Sequence, residues 1–302
     1  MRPFLTVYGH VAIDQIIEVK DYPLEDTSVD VLRKSTHLGG TGTNIAVHAA
    51  RLGVPTAISA FVGNDFPNNF KTIIEESKVD IDELITVDGF DTSQAMIVNN
   101  SGHHQKVLFY QGPQGVASKF KSRYMKKASA SIFVHICTGD PLYYLDIIEK
   151  IDRKTAIDPA QEIHRIWNPK YFSKALEKAN TLFCNKYEFE SVKKYLNIDS
   201  EREIEIPLFV CTMGKEGSRA MINGELFSIP AVKPEKVVDT TGAGDSFRGG
   251  FYAGLYHGLD IHESLVAGAA ASSFIIEKPG ALTARPTWDM VMERADSYLR
   301  II

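Results

Sequence analysis

The sequence predicts an α/β protein, a mostly parallel sheet with helices between its strands and a small separate β-lid. Three observations carry this expectation. Short β-branched runs alternate with longer amphipathic segments, as βα units do. Two stretches, 11–37 and 89–111, break that alternation with strands that no crossover helix connects. Beyond a hairpin near residue 223 the chain reads as helical to its end.

Taken in order, residues 4–8 and 56–62 are apolar runs of strand length, and so are 131–137, 154–157, 181–184 and 207–212. Between them the apolar residues of 43–52, 66–77, 141–151, 168–179 and 186–196 recur at helical spacing. Residues 218–222 and 225–229 form a hairpin, because Asn223-Gly224 supplies the two positive φ angles of a type I′ turn. Helices follow at 243–256, 264–275 and 287–299. In the two irregular stretches, 95–98 and 106–109 are strand-like. Parallel neighbours need a long crossover, so these strands are expected to pair antiparallel, away from the main sheet. They would form a lid over the carboxyl edge of the core sheet, where ligands bind in such folds. The expected division is a core of 1–12, 38–88 and 112–302, with a lid of 13–37 and 89–111.

Composition excludes several classes. With 302 residues, 44% hydrophobic and 24% charged, the chain is neither disordered nor fibrous. Lys plus Arg number 33 against 38 Asp plus Glu, a net charge of −5, so nucleic acid is not expected as a partner. The three cysteines, Cys137, Cys184 and Cys211, lie 47 and 27 residues apart, which fits neither zinc spacing nor a disulfide framework. They read as small core residues. No charge-free run reaches the ~18 residues of a membrane span, and the apolar N-terminus is interrupted by His10 and Asp14 with no cleavage site after it. A cytoplasmic protein without a membrane partner is expected.

Two kinds of phosphate loop are excluded by inspection. Gly214-Lys215 has no glycine five residues before it and is followed by Glu216, so it is not a Walker A loop. Gly242-Ala243-Gly244-Asp245-Ser246-Phe247 has Phe at the third glycine position and opens the helical C-terminal half, so it is not a dinucleotide fingerprint. What remains is Asp239-Thr240-Thr241-Gly242-Ala243-Gly244-Asp245-Ser246-Phe247, directly before a helical pattern. Glycines at a helix start aim free N–H groups and the positive end of the helix dipole at one point, which suits an anion. Asp245 in that turn is out of place unless it takes a proton from a group attacking the anion.

This string resembles the C-terminal DTxGAGDxF signature of the ribokinase-like PfkB family of carbohydrate and nucleoside kinases. Further segments agree in order along most of the chain. Gly9-His10-Val11-Ala12-Ile13-Asp14 resembles the first strand with its substrate-binding Asp. Leu38-Gly39-Gly40-Thr41-Gly42-Thr43-Asn44 resembles GGxxxN, and Val62-Gly63-Asn64-Asp65 resembles VGxD. Asn185-Lys186-Tyr187-Glu188 and Thr212-Met213-Gly214-Lys215-Glu216-Gly217 match NxxE and TxGxxG. The resemblance implies a three-layer ribokinase-like core, ATP as phosphate donor and a hydroxyl acceptor.

It also implies roles. Asp245 would be the catalytic base, with the backbone N–H groups of Gly242, Ala243 and Gly244 holding the developing charge. Asp14 would accept two sugar hydroxyls, Gly39 and Gly40 would let the backbone approach the sugar, and Asn44 would donate a further hydrogen bond. Asn185 and Glu188 would organise Mg²⁺ through water, although N-x-x-E is also a helix capping box. Thr212, Gly214 and Gly217 would line the nucleotide, with Lys278-Pro279-Gly280-Ala281 on its adenine side. Asp239 and Thr241 stand where some relatives bind K⁺.

For the acceptor, lid residues 13–37 hold six acids against three bases, which disfavours a phosphorylated sugar. Asp158-Pro159-Ala160-Gln161 is similar to the D-P-x-Q segment of nucleoside kinases, archaeal and bacterial adenosine kinases among them, where Gln161 would lie near the acceptor. Phe109 and Tyr110 could cover a base or form lid core. The expected acceptor is the 5′-hydroxyl of a nucleoside. The alternative is free ribose, fructose or inositol, and the remote one a non-catalytic nucleotide-binding regulator. The exposed lid edge suggests a homodimer.

Overall fold

The computed structural model describes residues 2–102, 104–120 and 125–300. Its elements in chain order are β1 (Leu5–Tyr8), β2 (Ala12–Val19), β3 (Val31–Gly39), α1 (Thr41–Arg51), β4 (Thr56–Val62), α2 (Asn68–Glu76), β5 (Val79–Thr86), β6 (Ser93–Asn100), β7 (Gln105–Tyr110), α3 (Lys126–Ala130), β8 (Phe133–Ile136), α4 (Pro141–Lys150), β9 (Lys154–Ile157), α5 (Pro169–Leu176), β10 (Thr181–Asn185), α6 (Lys186–Leu196), β11 (Leu208–Thr212), β12 (Ser218–Ile222), β13 (Glu225–Ile229), α7 (Ala243–Tyr256), α8 (Ile261–Ile275) and α9 (Trp288–Leu299).

Nine strands form the main sheet in the order β13-β12-β11-β10-β9-β8-β1-β4-β5. From β5 to β11 every neighbouring pair is parallel. The hairpin of β12 and β13 adds an antiparallel edge, turned by Asn223 and Gly224 at φ 50° and 89° as the Asn-Gly pair requires. Because successive side chains of a strand point to opposite faces, each strand feeds two apolar cores. Leu5, Val7, Phe183 and Val210 join the core under α1, α2, α7, α8 and α9. Tyr8, Leu182, Cys184 and Phe209 join the core under α4, α5 and α6. The result is the three-layer arrangement.

Two expectations need correction. The strand β5 is absent from the sequence reading, because its sequence Val-Asp-Ile-Asp-Glu-Leu-Ile-Thr carries three acids; it lies at the sheet edge, where only Val79 and Glu83 are buried. The small sheet, in the order β3-β2-β6-β7, is not purely antiparallel. Its two hairpins are antiparallel, but the central pair β2 and β6 runs parallel. The chain between them, α1, β4, α2 and β5, is itself the long crossover that parallel strands need.

Both visits to the small sheet leave from the carboxyl edge of the main sheet. Asp65 fixes the second departure: its Oδ1 accepts the N–H and the Oγ1–H of Thr92, each at 2.7 Å. Thr92 Oγ1 in turn accepts the Gly63 N–H at 3.0 Å.

At the first departure two backbones touch. A Cβ on Gly42 would lie 2.8 Å from the Gly9 carbonyl carbon and 2.9 Å from its Cα. Helix propensity alone favours Ala over Gly by ~1 kcal/mol at such a helical position. Overpacking between two backbones outweighs it, so Gly42→Ala should lower stability by about 1–3 kcal/mol. Urea unfolding monitored by circular dichroism gives the sign directly.

Candidate active site

The parallel strands end together, so the segments that follow β1, β4, β8, β9, β10 and β11 share one edge, the place where open α/β sheets bind ligands. Helix α7 begins there. Its N-cap is Gly242, at φ 77°, where a Cβ would also lie 2.5 Å from Ala281 Cβ. This left-handed position and the close approach both require glycine. The Ala243 N–H is bonded to Thr240 O at 3.2 Å. Among the described residues the amides of Gly242, Gly244 and Asp245 make no such bond, so three free N–H groups stand at the head of a long helix, where the dipole favours an anion.

Asp245 is held by Asn44, whose Nδ2 donates to Asp245 Oδ2 at 2.7 Å from 201 residues away. Burial raises the Asp245 carboxyl to about 6, against the pull of the Asn44 hydrogen bond and the Arg248 charge. Asp14, on β2, is raised to about 6 by burial and by the neighbouring charge of Asp245. The two carboxylates therefore face one space from the small sheet and from α7.

The glycine pair has a geometric cause. A Cβ on Gly39 would fall 2.0 Å from Asp14 Oδ2, so glycine lets β3 pass the carboxylate without displacing it. Gly40 caps α1 at φ 93°, and its Cβ would meet His10 O at 2.3 Å.

Asn185 and Glu188 form a complete capping box at the start of α6. Asn185 Oδ1 accepts the N–H of Tyr187 and of Glu188, at 2.8 and 2.9 Å. Glu188 Oε2 accepts the Asn185 N–H at 2.8 Å, and Oε1 accepts Asn185 Nδ2–H at 2.7 Å. Burial, with the charge of Asp158, raises Glu188 to about 7.

Asp239 ties the turn to the loop after α8: its Oδ1 accepts the Thr241 N–H at 2.9 Å and its Oδ2 the Gly280 N–H at 2.7 Å. Burial would raise its carboxyl, but these amides hold it below the usual range. Thr212 Oγ1 donates to Cys184 O at 3.4 Å. Gly214 and Gly217, both at positive φ, shape the loop beyond β11.

Gln161 is exposed, and the buried member of that segment is Glu162. Its Oε1 accepts from Gln111 Nε2 at 2.8 Å and its Oε2 from the Gly139 N–H at 2.6 Å, while burial raises its carboxyl to about 7. His10, lowered to about 4 by burial, stands edge-on to Phe109 with ring centroids 5.1 Å apart. Tyr110 is exposed.

Sequence reading named Asp158 only as part of the D-P-x-Q segment and missed its partner Arg248. Arg248 Nε donates to Asp158 Oδ2 at 2.7 Å and Nη2 to Oδ1 at 3.3 Å, with both side chains buried. An arginine on the inner face of a helix was the available signal, but its partner lies 90 residues away.

Asp245 has a sign-specific effect on stability. Its folded value, about 6, lies above the unfolded 3.8, so the ionised form destabilises the fold. The penalty is absent below the unfolded value, grows as pH rises and is complete above about 6. Asp245→Asn should therefore raise Tm at about pH 8 and leave it nearly unchanged at about pH 4. Thermal scans at both pH values test this.

The profile of the pfkB family carbohydrate kinases matches residues 2–288. The nucleoside kinase of Methanocaldococcus jannaschii is 32% identical over 298 residues, covering 97% of each chain. That of Methanothermobacter thermautotrophicus is 30% identical over 303 residues, covering 96% of this chain and 94% of its own. The crystal structure of the Methanocaldococcus jannaschii nucleoside kinase, an archaeal member of the ribokinase family, superposes with a TM-score of 0.90 over 97% of this chain and 98% of its own, at 30% identity. The Burkholderia thailandensis nucleoside kinase in complex with inosine shares the fold, with a TM-score of 0.87 at 22% identity over 97% of this chain and 96% of its own. With this match along almost its whole length, and with the glycine turn, the paired carboxylates and the Asn44 contact in one place, the chain belongs to the pfkB family of carbohydrate kinases.

Proposed function

We propose that this protein transfers the γ-phosphate of ATP to the 5′-hydroxyl of a nucleoside. The observation that carries the chemistry is the Asn44–Asp245 contact beside three unbonded turn amides. A carboxylate raised to about 6 is ionised at neutral pH yet basic enough to accept a hydroxyl proton. Asn44 fixes one oxygen of that carboxylate. The amides of Gly242, Gly244 and Asp245 point at the phosphoryl oxygens, where charge builds during transfer. Asp14 accepts hydroxyls of the ribose and holds the acceptor toward Asp245.

The nucleoside assignment is supported by two relatives, which are nucleoside kinases at 32% and 30% identity. The excess of acids over bases in residues 13–37 disfavours an acceptor that already carries phosphate. Phe109 offers a partly exposed ring next to His10, and Gln161 lies in the segment beside it. The 25% identical phosphofructokinase of Thermoanaerobacterium thermosaccharolyticum marks the range of acceptors within the family.

Glu188, with Asn185, would hold Mg²⁺ through water. The fit is chemical: Glu188 is a buried carboxylate among the like charges of Asp158 and Asp245, which a cation relieves. Mg²⁺ takes hard oxygen donors, keeps several waters and needs few protein ligands when phosphates are present. When bound it neutralises phosphate charge. Asp239 and Thr241 would hold K⁺, since the Asp239 carboxylate stays ionised beside the turn. Exposed Val31, Leu32, Val107 and Leu108 on the outer strands of the small sheet support a homodimer through that sheet. Use of ATP and three buried free thiols suit the cytoplasm.

Asp245→Asn should retain ATP and acceptor binding while kcat falls by about 10²–10⁴. Isothermal calorimetry together with a coupled ADP assay separates the two effects. Among adenosine, inosine, cytidine, ribose, fructose, fructose 6-phosphate and myo-inositol, a nucleoside should have the highest kcat/KM, exceeding ribose by about tenfold or more. A higher value for any of the last four would remove the nucleoside assignment.

A further inference from the structure

One charged group beneath the site takes no part in the chemistry described above. Arg248 lies on α7 one turn beyond Asp245, buried with 5% exposure, while its partner Asp158 is 1% exposed at the end of β9. The guanidinium fork reaches both oxygens of Asp158, at 2.7 and 3.3 Å. Its remaining nitrogen, Nη1, donates to Gly244 O at 3.2 Å, the carbonyl inside the glycine turn. Its planar group also stands 5.2 Å from the Phe183 ring centroid.

Asp158 is held in turn by the sheet. Its N–H donates to Ile136 O at 2.8 Å, and His135 Nε2 lies 3.3 Å from its Oδ2. His135 Nδ1 meets Tyr252 OH at 2.9 Å, on the same helix as Arg248. Helix α7 is thus tied to the ends of β8 and β9 through the Arg248 fork and through Tyr252.

We propose that Arg248, clamped by Asp158, is a positioning residue for the phosphoryl transfer assigned above: it fixes the turn through Gly244 and sets the electrostatic field at Asp245. The proposal rests on that kinase reading for its kinetic consequences alone.

The groups facing Asp245 make the field argument specific. Asp14 approaches from β2, Asn44 from α1, Cys137 from beyond β8, Asp158 from beyond β9 and Glu188 from α6. Among these and Arg248, only Arg248 is cationic. Burial would lower Arg248, but Asp158 keeps it charged. Burial would likewise raise Asp158, yet Arg248 and His135 hold it down to about 2, so both charges persist at working pH. Arg248 favours the ionised base and Asp158 opposes it.

Two substitutions should therefore move Asp245 in opposite directions. The midpoint of its carboxyl titration, followed by carbon NMR on the free protein, should fall by about one unit in Asp158→Asn and rise by about one unit in Arg248→Met. The acid limb of kcat/KM should move with it. At its pH optimum Arg248→Met should lose at least about tenfold in kcat with nucleoside KM nearly unchanged. Arg248→Lys should restore the midpoint but not kcat, because an ammonium cannot grip Asp158 and Gly244 O as a fork does.

Removing Arg248 leaves a buried carboxylate unpaired, so Arg248→Met is the variant at risk of unfolding. Asp158→Asn keeps an oxygen for the guanidinium and decides the question by itself if the other fails. An unmoved midpoint in Asp158→Asn would overturn the proposal, as would equal shifts of one sign in both variants. If wild type phosphorylates no acceptor, the kinase reading fails, and the NMR midpoints still decide the field at Asp245.

Discussion

Burying Asp158 at the end of β9 forces a counter-charge into the same apolar surroundings, and Arg248 supplies it. The desolvation of two buried ions is repaid only by good geometry and further hydrogen bonds. Here the fork, the Gly244 carbonyl, the Ile136 carbonyl and His135 complete the set. Helix α7 is consequently not free to slide over the sheet, and its first turn, with its free amides and Asp245, keeps its register against β8 and β9. The rest of the site is arranged around that fixed point.

Negative charge is concentrated in the site, set against Arg248 and, beside Glu162, Arg165. Asp14 and Asp245 are raised to about 6, and Glu162 and Glu188 to about 7, in each case first by burial. Each destabilises the ionised fold at neutral pH, because its folded value lies above its unfolded one. Such residues are poor choices for stability and useful ones for the phosphoryl transfer proposed above, which needs a proton acceptor. Stability and activity pull against each other here.

The small sheet has a related logic. Its central parallel pair requires the chain to leave the main sheet, return through α1 to β5, and leave again. Both crossings start at the carboxyl edge, so Asp14 on the first and Phe109 on the second arrive over the same edge. Gln111, where the second crossing returns, bonds to buried Glu162 and so joins the small sheet to the segment after β9.

Much of this architecture is legible in the amino-acid sequence by itself. Strands 56–62 and 207–212 are continuous apolar runs that only burial on both faces explains, and the Asn223-Gly224 hairpin and the glycine turn at 242–244 are local events encoded within a few residues. The capping box of Asn185 and Glu188 belongs to the same class. What tertiary structure alone decided involves partners far apart in the chain: Asn44 with Asp245, Asp158 with Arg248, β2 beside β6, and β5 added at the sheet edge. The physical reason is that local pattern specifies φ, ψ and the buried face of each element, whereas the order of strands in the sheet determines which distant side chains meet. Strand order is settled by the packing of the whole chain.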